Sequence, residues 1–383
     1  MKKVYAVADN IVSALGNTSG DNFRQVVAGH SGIRLQEDND MSAGPFQAAM
    51  LSAAQLLQYS TGHSLDGYTK FEQLIILSVQ DALSHTNINL GDERTAFIIS
   101  TTKGNIERIE QQYPQQPPME QLELYASAQR IAGHLGYLQR PIVVSNACIS
   151  GLLAILIGQR LIASGQYDRA VVTGADVMTQ FVLSGFQSFQ AVSAAPCRPF
   201  DAGRNGVTLG EAAATVILST DPAQALTQPA ILTGGGAVSN DANHISGPSR
   251  TGAELATAMR QAMERSGLEA ADIGFVSAHG TATVYNDEME AKALNIAGLQ
   301  HTPVNSLKGY YGHTLGAAGL VEAIISMHAM TAGLILPTKG FEQLGVTQPV
   351  NVCSTLQRQP VKHFLKTVSG FGGCNAAMIF SVA

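Results

Sequence analysis

The sequence predicts a duplicated α/β fold, and three observations carry that expectation. Short β-branched strands alternate with apolar helical stretches, the pattern of a sheet with helices packed on it. The same strand-helix order recurs in the later part of the chain. At 383 residues, 45% hydrophobic and 14% charged, the chain has a large core and exceeds an ordinary single domain.

Val4 to Gly16 reads as a strand and a turn, followed by a polar helical segment to Val27. From Arg34 to Asp66 the polarity is mixed, so surface excursions or short helices are expected there. Between Lys70 and Leu90, Phe71, Leu74, Ile75, Val79 and Leu83 fall at helical spacing. Ala96-Phe97-Ile98-Ile99-Ser100 has the composition of a buried strand, and Gln111 to Pro118 reads as a Gln/Pro-rich loop. Val143-Val144 leads through Ser145-Asn146-Ala147 to Cys148, which opens the apolar segment Leu152 to Ile157.

The repeat pairs these segments with later ones. Ala96 to Thr102 matches Gly274 to Gly280, and Pro141 to Ile162 matches Pro303 to Met330. Ala170 to Ala175 with Ala213 to Leu218 echoes Thr367 to Gly370 with Ala377 to Phe380. The break falls at Ser219 to Pro229, where Asp221, Pro222, Gln224, Gln228 and Pro229 cluster. Residues 1–220 then form one half, carrying Cys148, and residues 221–383 the other, carrying His279 and His313.

A net charge of −6, with no basic stripe and interleaved aromatics, argues against a nucleic-acid partner. No apolar stretch approaches the roughly 20 residues of a membrane-spanning helix. Asp9 and Asn10 interrupt the apolar start too early for a signal peptide. Cys148, Cys197, Cys353 and Cys374 form no CxxC pair and are too few for a disulfide scaffold, so a reducing cytoplasm is expected.

Taken alone, Cys148 reads as a small buried core residue. Its place at a predicted helix N-terminus, where free N–H groups and the helix dipole favour a thiolate, gives it a second reading as a nucleophile. His279 follows a strand among small residues, Ser277-Ala278-His279-Gly280-Thr281-Ala282-Thr283. His313 stands in a Gly-rich turn at the mouth of a second apolar helix. Ligand sites of α/β folds lie at the carboxyl ends of strands, so the three side chains are expected to converge. A thiol with two imidazoles can serve nucleophilic attack, oxyanion stabilisation and acid/base work. Lys308, five residues before His313, reads either as a surface lysine or as a paired internal one.

The chain resembles the β-ketoacyl-acyl-carrier-protein synthases, condensing enzymes of the thiolase-like superfamily. The resemblance rests on Asn146-Ala147-Cys148, Cys197-Arg198-Pro199-Phe200-Asp201, Gly210-Glu211 and His279-Gly280-Thr281-x-Thr283. It continues through Asn305-Ser306-x-Lys308, Gly312-His313-x-x-Gly316-Ala317-Ala318-Gly319 and Gly370-Phe371-Gly372-Gly373-Cys374-Asn375-Ala376. It implies a thiolase-like, five-layered αβαβα fold and an acyltransferase. Cys148 is then the nucleophile, and His279 and His313 assist decarboxylation of a malonyl thioester. Lys308 and Glu290 are implied as a supporting ion pair. The N–H groups of Cys148 and Phe371 are implied as the oxyanion hole, with Phe371 also a gate. Thr281 and Thr283 would bind the phosphopantetheine arm of an acyl carrier protein. No metal or organic cofactor beyond that arm is implied. The implied assembly is a homodimer or a heterodimer with a related ketosynthase subunit, with no nucleic acid and no membrane.

Three departures bear on specificity. Ala212 follows Gly210-Glu211 where the family has a second glycine, Ser100 to Asn105 replaces a more Gly-rich turn, and the N-terminal half is short. They suit a specialised fatty-acid, polyene or polyketide-type synthase at least as well as a housekeeping one. Phe181, Phe186 and Phe189 read equally as acyl-pocket lining or as core and interface aromatics. The alternatives are a non-catalytic chain-length partner, a thiolase using Cys374, and a Cys-His-Asn enzyme using Asn305 or Asn375. The retained Cys148, His279 and His313 weigh against all three.

Overall fold

The computed structural model describes residues 2–38, 40–112, 115, 117–242 and 247–383, so the Gln/Pro-rich stretch lies partly outside the described residues. Ten strands form the main sheet. The first five are β1 (Tyr5–Ser13), β2 (Thr95–Ser100), β3 (Ile142–Val144), β4 (Arg169–Asp176) and β5 (Ala212–Ser219). The second five are β6 (Ile231–Asn240), β7 (Phe275–Ser277), β8 (Val304–Asn305), β9 (His363–Ser369) and β10 (Cys374–Val382).

The order across the sheet is β8-β7-β9-β10-β6-β1-β5-β4-β2-β3. Read outward from the centre, each half runs first, fifth, fourth, second, third of its own set. Pairing repeats as well. The second strand of each set is parallel to the third and fourth, and the fifth is antiparallel to the fourth and first. The repeat read from the sequence thus matches strands in equivalent places. The halves meet at a short antiparallel seam, Tyr5 with Leu232 and Ala6 with Ile231.

Six helices matter for the site: α1 (Lys70–Ser84), α2 (Ser150–Ala163), α3 (Gln180–Ser188), α4 (Ala253–Ser266), α5 (Val284–Ile296) and α6 (Ala318–Thr331). Helix α1 starts at a capping box, in which Thr69 Oγ1 accepts from Glu72 N and Glu72 Oε2 accepts from Thr69 N. It covers the outer face of the first half, and α4 and α5 cover that of the second. Helices α2 and α6 are apolar on most sides because they lie between the halves and contact strands of both. Helices outside and between the two five-stranded halves of the sheet make five layers, and the predicted duplicated α/β fold is the observed one.

The two central helices cross closely at their N-termini. A Cβ at Gly151 would lie 2.8 Å from Gly316 O and 2.9 Å from Leu320 N, and one at Gly319 only 2.5 Å from Leu152 N. Only glycine permits that approach, and it brings the residues just before each helix together.

The Arg34 to Asp66 region differs from expectation. Besides the helix Ala53–Ser60 it holds two strands, Ile33–Gln36 and Phe46–Ala49, in a small sheet with Leu209–Gly210. Phe46–Ala49 pairs with Ile33–Gln36 nearby, but its other edge is completed by Leu209–Gly210 far along the chain, which no local pattern announced. No helix among the described residues is long and apolar enough to cross a membrane.

Candidate active site

Strand β3 ends at Val144, and the chain turns sharply before Cys148. Ala147 sits in the left-handed region at φ 44°, a conformation that costs a non-glycine residue about 1–3 kcal/mol. Ser150 latches this turn: its Oγ donates to Ala147 O at 2.7 Å and accepts from Asn146 N at 2.8 Å. Helix α2 begins only at Ser150, two residues beyond the cysteine. The expected helix-stabilised thiolate is therefore not the resting state. Burial pushes the Cys148 thiol up to about 12, with Cys374 adding to the rise. The Lys308 charge and the Phe371 backbone N–H pull the other way without offsetting it. What the thiol has is a base, since His313 Nε2 lies 3.0 Å from Cys148 Sγ.

His313 precedes α6 as Cys148 precedes α2. Its turn is strained in the same sense, with Leu315 at φ 51°. His313 N donates to Thr208 O at 2.7 Å, which ties the turn to the first half. His279 leaves the end of β7 and sets its ring at 83° to that of His313, centroids 5.1 Å apart. Both rings are buried. Burial first, and then the Lys308 charge, hold both imidazoles well below the ordinary 6.5. They are neutral at neutral pH. Lys308 Nζ stands 3.4 Å from His279 Nδ1. An ammonium can only donate, so Nδ1 accepts and the ring proton sits on Nε2.

The implied Lys308–Glu290 ion pair is not formed. Lys308 is fully buried and pairs with Glu322 of α6. The other oxygen of Glu322 lies 2.6 Å from Lys366 Nζ. Glu290 instead braces the end of β7, accepting from His279 N and Gly280 N at 2.8 Å each and from Thr367 Oγ1 at 2.8 Å. The physical reason is direction. The α5 helix presents Glu290 to the backbone of the turn, and α6 presents Glu322 to the lysines. Sequence reading missed Glu322 and Lys366. The available signal was an isolated charge inside an apolar run, Leu320-Val321-Glu322-Ala323-Ile324 and Phe364-Leu365-Lys366, because a charge buried in such a run must be paired.

The site opens into a cavity of about 370 Å³ lined by Cys148, His279, His313, Thr281, Thr283 and Phe371, among others. The Phe371 backbone lies beside the thiol, and its N–H works against the rise that burial imposes on Cys148. Gly370 allows this, since a Cβ there would lie 3.0 Å from Cys148 N. The Phe371 ring is 38% exposed and stacks on Phe186, centroids 5.5 Å apart at 25°. Phe189 meets it edge-on at 5.5 Å. Phe186 and Phe189 line the cavity, while Phe181 is exposed and outside the lining. The Thr281 and Thr283 hydroxyls are 2.9 Å apart at the wall.

Cys374 is buried with its Sγ toward Phe371 O and Asn146 O, outside the cavity lining. Asn305 is a core residue bonded to Leu336 O. Asn375 reaches the cavity but is held by Ser369 and Gly373. None takes the place of His313. The reactive atoms of Cys148, His279 and His313 all lie within 4.8 Å of one another. Two buried ammonium groups stand behind them, an environment that favours a developing anion over a bound cation.

A family model described as the β-ketoacyl synthase N-terminal domain matches residues 1–223, and one described as its C-terminal domain matches residues 230–342. The 3-oxoacyl-[acyl-carrier-protein] synthase 2 of Vibrio cholerae is 30% identical over 411 aligned residues, covering 99% of each chain. A solved ketosynthase in complex with its chain length factor, from Xenorhabdus doucetiae, is 27% identical with a TM-score of 0.85, covering 100% of this chain and 98% of that one. A β-ketoacyl synthase from Burkholderia phymatum shares the fold, at 24% identity and a TM-score of 0.87 over 100% of both chains. Matched by both models in order and alike along nearly its whole length to a named synthase, the chain belongs to the β-ketoacyl synthase family.

Proposed function

We propose that this chain is a catalytic β-ketoacyl-[acyl-carrier-protein] synthase. It joins a Cys148-bound acyl group to malonyl carrier protein with loss of carbon dioxide, in fatty-acid, polyene or polyketide-type biosynthesis. One observation carries the reading: a thiol 3.0 Å from an imidazole at the base of a cavity, with a second neutral imidazole beside it.

In the loading half-reaction, His313 Nε2 takes the thiol proton as sulfur attacks the acyl thioester. The carrier thiol leaves with that proton. A thiol pushed up to about 12 needs this base at neutral pH. In the condensing half-reaction, the bond to the malonyl carboxylate breaks and its electrons form an enolate. The His279 Nε2–H donates to the enolate oxygen, with His313 beside it. The enolate carbon then attacks the Cys148 acyl carbonyl, whose oxygen lies in the hole made by the Cys148 and Phe371 N–H groups. The carbon–sulfur bond breaks, and the thiolate takes up one proton from water, the proton that decarboxylative condensation consumes overall. Each well-placed donor is worth about 3–4 kcal/mol, or ~10²–10³ in rate. Lys308 keeps the His279 proton on Nε2 and adds positive charge. Glu290 fixes the turn. Thr281 and Thr283 hold the phosphopantetheine arm, and Phe371 gates the thiol. The carrier-protein partner follows from this reaction; likeness to the Xenorhabdus ketosynthase with its chain length factor supports pairing with a sister subunit, a second copy of this chain being the alternative.

Intact-protein mass spectrometry with a panel of acyl carrier proteins, then malonyl carrier protein, tests the reading. Acyl mass on Cys148 followed by a β-ketoacyl product is expected. No acyl mass from any carrier would overturn it in favour of a non-catalytic partner.

A further inference from the structure

Lys366 lies outside every motif that located the site. It sits mid-strand in β9, flanked by Phe364-Leu365 and Thr367-Val368, and its side chain is fully buried. A buried ammonium must satisfy three donors. Lys366 meets three groups that all lead to the histidines, two by hydrogen bond and one by ion pairing. Its Nζ donates to Ser277 O at 3.0 Å and Ala278 O at 3.2 Å, the two carbonyls immediately before His279. Its third partner is Glu322, 2.6 Å away, whose other oxygen meets Lys308. The parallel register of β7 and β9 sets Lys366 beside Ser277, so the long side chain reaches just past the strand end.

We propose that Lys366 is a positioning residue for the condensing step: it clamps the strand end that carries His279 and, through the shared Glu322 carboxylate, holds the Lys308 ammonium against His279 Nδ1. The inference rests on the reaction proposed above. The charged and titratable groups around His279 among the described residues are Lys308 of the short helix Lys308–Tyr311, Glu322 of α6, Glu290 of α5, Lys366 of β9, the His313 ring, the Cys148 thiol and, on the same turn, Asp287 of α5, which accepts from Thr281 N and Ala282 N. Glu290 is engaged by the His279 and Gly280 N–H groups, while both ammonium groups act on the imidazoles and oppose their protonation. Without Lys366, Glu322 pairs with Lys308 alone. The Ser277 and Ala278 carbonyls lose their donor, and His279 gains a proton more readily. Loading uses His313 and Cys148, whose strand ends Lys366 does not touch, so where both rings stay neutral the loss falls on decarboxylation.

The test is Lys366→Met in the full-length chain, with Lys366→Gln as a companion that keeps two N–H donors and removes the charge. Loading of Cys148, decarboxylation of malonyl carrier protein across pH, and side-chain NMR of ¹⁵N-histidine protein are measured. In Lys366→Met, decarboxylation is expected to fall roughly 10–100-fold relative to loading, as for an ångström-scale misplacement. In both variants the histidine titration and the acid limb of decarboxylation should move up by about one pH unit, the effect of losing one nearby buried charge. A folded Lys366→Met with wild-type histidine titration and a wild-type ratio of decarboxylation to loading overturns the proposal. If Lys366→Met does not fold, unshifted titration in Lys366→Gln overturns it. A wild-type chain that neither loads nor decarboxylates would sink the condensing reaction instead, while the NMR comparison still judges Lys366.

Discussion

Replacing Gly319 with alanine tests whether the crossing of α2 and α6 sets the distance between nucleophile and base. The new methyl would lie 2.5 Å from Leu152 N and 2.9 Å from Leu152 Cβ. The nitrogen is helix backbone, which cannot swing aside. Restoring an ordinary contact of 3.4 Å requires about 0.9 Å of separation, the difference between 3.4 and 2.5. Because His313 rides at the mouth of α6 and Cys148 at that of α2, the same shift would lengthen their 3.0 Å contact to about 3.9 Å. Overpacking of this kind costs about 1–3 kcal/mol. The better helix propensity of alanine returns up to about 1 kcal/mol. Net destabilisation is therefore modest, and loading is the sharper readout. A 1 Å misplacement can cost on the order of 10²-fold, so we expect acyl loading of Gly319→Ala to slow roughly 10–100-fold, followed as a time course by intact mass. Gly133→Ala is the control, since a Cβ there meets nothing within 4 Å. Wild-type loading by Gly319→Ala would show that the helix crossing does not govern the cysteine–histidine geometry.

Cys148→Ala should abolish acyl-enzyme formation, and undiminished acyl mass would remove Cys148 as nucleophile. His279→Ala should slow decarboxylation of malonyl carrier protein by about 10²–10³-fold while loading is affected far less; equal losses in both assays would contradict the assigned division of roles. Glu322→Gln leaves two buried ammonium groups without their shared carboxylate and should destabilise the chain by about 3–5 kcal/mol, seen as a lowered thermal midpoint; an unchanged midpoint would mean the cluster is not load-sharing. The part-buried Asp9–His328 pair, 2.9 Å apart, gives a pH signature. Burial works against both charges, but each outweighs it for the other, so Asp9 lies below 3.8 and His328 above 6.5. The Asp9 contribution is present above 3.8 and is lost as pH falls through its lowered value. The His328 contribution is complete below 6.5 and is lost as pH rises through its raised value. The stability difference between wild type and Asp9→Asn should thus peak between those limits, and a flat difference across pH would show the pair is not ionised together.

Much of the fold was legible because it is written twice. The strand runs Ala96 to Ser100 and Phe275 to Ser277 announce themselves by composition, and the apolar stretches after Cys148 and His313 mark the central helices. The reactive trio was legible because each member follows a strand end, and strand ends gather at one edge of the sheet. The partner of Lys308 was not. Spacing along the chain favoured Glu290, but which carboxylate reaches an ammonium depends on how α5 and α6 are turned, and periodicity does not report that. The protonation state of Cys148 was misjudged for a related reason. A helix N-terminus is visible in sequence, whereas the depth of burial that outweighs it is a property of the packed halves. The Ile33–Gln36 and Phe46–Ala49 strands escaped because part of their pairing is made at Leu209–Gly210, far away in sequence.

The Cys148–His313 contact joins residues 165 positions apart, across a seam that itself pairs Tyr5 with Leu232. Closing so long a loop costs chain entropy that no local structure repays, so this contact belongs among the late events of folding. During synthesis the cysteine leaves the ribosome long before its base exists. Before then the exposed thiol carries only the few per cent of thiolate of an ordinary cysteine and has no cavity to orient an acyl thioester against it. Acyl acceptance therefore serves as a clock for completion: in a refolding experiment it should lag the return of helix and sheet, marking the moment at which the two halves have joined.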